Sequence, residues 1–136
     1  MKNKIIIVPI EILKAELEIC VGVSKDYFLK WHKTKKVTKE AKEVSDGIPD
    51  DFFSIKGGTT GLCTVINHKK SGLNFYFIHL GDWENSWDNL ELLVHEIIHF
   101  KNYLFESHKI SEEQEFESYF VEYVFKKSQN GAEQAR

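Results

Sequence analysis

Polar and apolar residues alternate most clearly from Ala15 to Val21, where Ala15, Leu17, Ile19 and Val21 fall on one side and Glu16, Glu18 and Cys20 on the other. A period of two is the mark of a strand with one face buried, so the spacing predicts a half-buried strand there. Ser24 then offers an N-cap for a helix through Tyr27, Phe28 and Trp31, with its lysines turned outward and its end near Thr38 or beyond. Asp46, Gly47, Pro49 and Asp50 break the pattern, and Gly57, Gly58 and Gly61 loosen the connection that follows. Two strand-like runs, 62–67 and 73–80, are separated by His68, Lys69, Lys70, Ser71 and Gly72, a length and composition suited to a hairpin.

The second half changes period. Asp88 with Glu91 reads as a capping box opening a helix through Tyr103 or Phe105 that is apolar almost all round. Ser111 with Gln114 opens another through about Lys127, followed by a polar, frayed tail over 128–136. Strands in the first two thirds and helices in the last predict a single α+β domain over 1–127. Its small, mostly antiparallel sheet packs against helices, with the helix from Asp88 at the centre.

Composition narrows the picture. A chain of 136 residues with 42% hydrophobic content can bury one core, consistent with a single domain. Its 18 basic against 21 acidic residues leave −3, which gives no general attraction for nucleic acid or anionic lipid. Lys30, Lys33, Lys35, Lys36, Lys39 and Lys42 crowd one stretch, which reads as a solvated helix face. Cys20 and Cys63 lack the paired spacing of a zinc ribbon and read as free thiols. Only four apolar residues separate Lys4 from Pro9, too few for a signal peptide or a membrane span, so a cytoplasmic protein is expected.

The chemistry concentrates in the run His95-Glu96-Ile97-Ile98-His99. Residues four apart on a helix lie one above the other, so His95 and His99 can present imidazoles to one point. Zinc suits that geometry: a catalytic site takes three protein ligands and leaves a fourth position to water. Glu96 falls beside that water, where a carboxylate can take its proton and hand it to a leaving group. Leu92, Leu93, Val94, Ile97, Ile98 and Phe100 make the rest of the helix apolar, and polar groups in such surroundings need a partner, which a metal provides.

Several residues compete for the third ligand. A histidine six residues after His99 would mark one large zincin group, but Phe105 stands there, with Asn102 in place of that group's glycine. No Asp follows Asp88. On the final helix Phe116, Phe120, Val121, Tyr123 and Val124 define an apolar arc that contains Glu117, a carboxylate that needs a partner. Glu117 is therefore the expected third ligand, Glu113 one turn earlier a residue orienting a histidine, and His108 the alternative ligand. Two imidazoles and a carboxylate also suit iron.

With these residues, the chain resembles the zincin metallopeptidases of the glutamate-ligand type, in which a histidine pair on one helix and a glutamate on the next bind zinc. More narrowly, Leu93-Val94-His95-Glu96-Ile97-Ile98-His99 followed by Glu117-Ser118-Tyr119 resembles small metallopeptidase-like proteins encoded by bacteriophages. The resemblance implies a zinc peptidase of the host cytoplasm acting on a peptide or protein substrate. It also implies a sheet edge beside the metal cleft that pairs with an extended peptide, for which 73–80 is the expected strand. His79 and Tyr103 are conceivable oxyanion donors, although a core histidine and a packed aromatic are the plainer readings. The competing reading is a catalytically silent, zincin-like metal-binding protein that acts by binding a host protein. A nucleic-acid-associated role through the lysine stretch is a further rival, against which the negative charge counts.

Overall fold

The sheet is built from β1 (Lys4–Ile10), β2 (Ala15–Val21), β3 (Gly61–Asn67) and β4 (Asn74–Leu80). Its spatial order is β1-β2-β4-β3. The outer pairings, β1 with β2 and β3 with β4, are antiparallel, and the central pairing of β2 with β4 is parallel. The expected hairpin is therefore present, with Gly72 at φ 75 in its turn, but the sheet is mixed. The computed structural model describes residues 4–10, 13, 15–34, 37–54, 61–81, 87–108 and 114–133. The expected cap Ser111, together with Glu113, Gly57, Gly58, Lys35 and Lys36, lies outside them.

Helices cover both faces of the sheet. On one side lie α1 (Lys25–Thr34), α2 (Lys39–Ser45) and a 3-10 turn (Asp50–Phe53), burying Phe28, Val44 and Phe52 against Cys20 and Phe77. On the other lie α3 (Trp87–Ser107) and α4 (Gln114–Glu133), whose Leu93, Ile97, Phe100 and Val124 bury Leu17, Ile19 and Ile78. Ser24 caps α1 as expected, its Oγ accepting from the Tyr27 N–H at 3.1 Å. The first helix stops at Thr34, and Thr38 caps a separate α2 through the Ala41 N–H at 3.2 Å.

Three sequence expectations are corrected by this layering. The β2 strand is buried on both faces, because α1 and α2 cover the side carrying Glu18 and Cys20. Glu18 survives there because His32 Nε2 lies 2.9 Å from its Oε1. Next, α4 continues past Lys127 to Glu133: Ser128 is fully buried, and Gly131 approaches Ile6 so closely that a β-carbon would lie 2.7 Å from Ile6 Cγ2. Finally, β4 is interior, and β1 and β3 are the two edge strands, with Leu62 and Val65 of β3 each 39% exposed.

Candidate metal centre

The chain has six histidines, and the partners of four explain their places. His32 lies against Glu18, with its Nδ1 donating to the Phe28 carbonyl at 2.9 Å. His68 contacts Glu43 at 2.6 Å and Ser71 at 2.6 Å, tying the hairpin turn to α2. His79 accepts from the Val23 N–H at 3.1 Å and donates to the Phe52 carbonyl at 2.6 Å. Burial in this setting holds the His79 pKa below the usual histidine value. It is a core histidine on the α1 side of β4, away from α3, so it offers no oxyanion donor. His108 faces the carbonyls of Leu104 at 3.1 Å and Leu13 at 3.0 Å, which fixes it to the loop before β2.

His95 and His99 have instead each other. Their Nε2 atoms are 3.1 Å apart, with ring centroids 4.7 Å apart and planes at 84°. A neutral imidazole carries one N–H, so either one ring donates to the other or both lone pairs turn to a shared cation. Two nitrogens at about 2.0–2.1 Å from a tetrahedral zinc lie about 3.3 Å apart, close to the separation in place. The spacing of the pair thus suits two imidazoles on one zinc.

Their surroundings differ from what the apolar flanks suggest. Leu93, Ile97 and Phe100 point into the core, and both imidazoles project from the opposite, solvent-facing side of α3. Burial therefore supplies no pressure for these rings to find a partner. Glu96 is the group that is buried, at 4% exposure, turned toward the first residue of β3. Burial pushes its carboxyl above the ordinary carboxylate range, and the neighbouring His95 and His99 pull the other way without cancelling it. Cys63, two residues along β3, has its thiol pushed up to about 12, first by burial and then by the Glu96 charge.

Glu117 does not join the histidines. It forms an ion pair with the Lys101 ammonium, whose side chain is only 5% exposed. Both residues line a cavity of about 510 Å³ between α3 and α4, together with Val94, Ile98, Val121 and Phe125. The buried stripe of α4 runs through Val124 and Ser128, and Tyr123, expected inside it, is 45% exposed. Lys101 was the missed signal, a cation within the motif helix one turn from Ile98 and able to satisfy the carboxylate without a metal. Among the described residues, no group of three His, Cys, Asp or Glu side chains is placed to hold a metal ion. Tyr103 is 42% exposed and lies on the β3 side of α3, where it borders a cavity of about 590 Å³ with Val65, Asn67 and Tyr76.

No family model, curated protein or solved structure matches the chain. Among the described residues, no helix is long and apolar enough to cross a membrane.

Proposed function

We propose that the protein is a zinc-dependent hydrolase, a peptidase of zincin-like build, with His95, His99 and Glu117 as ligands and Glu96 as general base. The observation that carries the reading is the exposed imidazole pair, 3.1 Å apart, with the buried carboxylate of Glu96 beside it. Zinc bound to the pair would polarise a scissile carbonyl and lower the pKa of water. Glu96, whose carboxyl is raised by burial, accepts a proton from water at its carboxylate and returns it to the departing amine. Glu117 pairs with Lys101 in the structure and does not join the histidines, so as third ligand it would have to leave that ion pair.

A peptide substrate is favoured by the edge of the sheet. Of the two edge strands, β3 is the one whose first residue lies against Glu96, and it is the strand proposed to pair with an extended chain. The test begins with protein purified without a metal-affinity column, its metal identified by mass spectrometry, and its cleavage of an unfolded protein followed with and without chelator. One zinc per chain and chelator-sensitive cleavage are expected. Protein that takes up no zinc refutes the reading. Zinc without cleavage of any peptide library favours a catalytically silent metal-binding protein instead.

A further inference from the structure

Two described glycines, Gly22 and Gly72, have positive φ, and Gly61 is not one of them, so no left-handed backbone demands a glycine at the start of β3. Its surroundings do. A β-carbon at 61 would lie 3.1 Å from Glu96 Cγ, 3.3 Å from Glu96 Oε2 and 3.3 Å from Leu92 Cδ1. Ordinary carbon contacts sit at about 3.5–4.0 Å, so a methyl group here displaces something. The strand cannot retreat easily, because Gly61 is held in register with Leu80 of β4. Leu92 is half-buried and its chain end can rotate, whereas Glu96 is buried and has the least room.

We infer that Gly61 is a positioning residue for Glu96: by lacking a side chain, the first residue of the edge strand makes the seat in which the carboxylate rests beside the histidine pair. The inference rests on Glu96 acting as general base. Gly61 touches neither metal ligand, and its effect passes only through where it lets Glu96 lie. A displacement of a few tenths of an ångström leaves zinc and substrate binding alone, and moves the carboxylate relative to the water it serves.

The test is Gly61→Ala in two backgrounds. With Glu96 present, the added methyl should lower the melting temperature by roughly 5 °C through overpacking. In Glu96→Ala protein the same change should leave the melting temperature level or raise it, since alanine restricts the unfolded chain and the seat is empty. In cleavage assays Gly61→Ala should lower kcat about tenfold with KM and zinc content unchanged, in line with the sensitivity of reactions to small misplacements. An equal thermal shift in both backgrounds overturns the inference, as does an unchanged kcat. If the unsubstituted protein cleaves nothing, the peptidase reading fails, and the paired thermal shifts still decide whether Gly61 seats Glu96.

Discussion

Replacing Glu117 with alanine separates the two roles that the sequence and the structure assign to it. The Lys101 side chain is 5% exposed and that of Glu117 is 27% exposed. Breaking a fully buried pair costs about 3–5 kcal/mol, and the partial access of water to Glu117 brings the expected loss to roughly 2–3 kcal/mol. For a chain of this size that is a fall of roughly 10 °C in melting temperature. Most of it should return in the double variant Glu117→Ala/Lys101→Met, which no longer leaves a buried ammonium without its carboxylate. Zinc affinity should behave differently. Changes outside the ligand set commonly cost about 10–100-fold, so losing a direct ligand should cost at least about 100-fold, and removing Lys101 should not restore it. Calorimetry of the metal-free protein reads the first effect, and competition with a chromophoric chelator reads the second. Unchanged zinc affinity in Glu117→Ala would show that Glu117 serves Lys101 alone and that the third ligand lies elsewhere.

Other perturbations follow from the same geometry. His95→Ala and His99→Ala should abolish stoichiometric zinc while leaving the metal-free melting temperature almost unchanged, because both rings are exposed; metal analysis showing full zinc in either variant refutes the pair as ligands. Glu96→Gln should keep zinc and lower turnover by about 10²–10⁴-fold, and loss of the metal would instead mark Glu96 as a ligand. At the other face of the sheet, burial opposes charge on His32, but the hydrogen bond and charge of Glu18, with the Phe28 carbonyl and the Glu16 charge, together outweigh it and raise the His32 pKa from the ordinary 6.5. A raised folded value stabilises the protein fully below the unfolded pKa and is lost as pH rises through the folded value. The excess stability of wild type over Glu18→Gln, measured by urea unfolding, should therefore be larger at about pH 6 than at about pH 9; an excess that grows with pH would reverse the assignment.

Much of the fold was legible because short-range pattern decided it. The alternation in β2, the hairpin of β3 and β4 and the long apolar helix α3 all follow from spacing alone. What was not legible depends on neighbours distant in sequence. The run Ile5, Ile6, Ile7 and Val8 has no alternation and ends at Pro9, yet it forms β1, and Pro9 is exposed on an edge strand where its missing N–H costs little. Glu18 looks like a solvent residue until His32, fourteen positions on, arrives beside it. Ser128 and Gly131 have the chemistry of a tail, but small side chains are what let the end of α4 close on β1. Even the interior place of β4 had a local sign, since its near-continuous apolar run suits a strand covered on both faces.

The site divides along the same line. The spacing of His95 and His99 is local, and one helical turn brings their Nε2 atoms together without help from the rest of the molecule. The expected pressure behind them was burial, and that pressure falls on Glu96 instead, because a helix packed on a sheet turns one side to solvent even when its sequence is apolar nearly all round. This changes what selects for the pair. Both histidines are exposed, so their edge-to-face contact gives the fold little that other polar residues would not. Glu96 is the reverse: a carboxylate with little solvent, seated against a glycine whose backbone does not require one, is a cost to stability. The feature of the motif that the fold does not account for is thus the buried acid of Glu96, rather than the exposed imidazole pair.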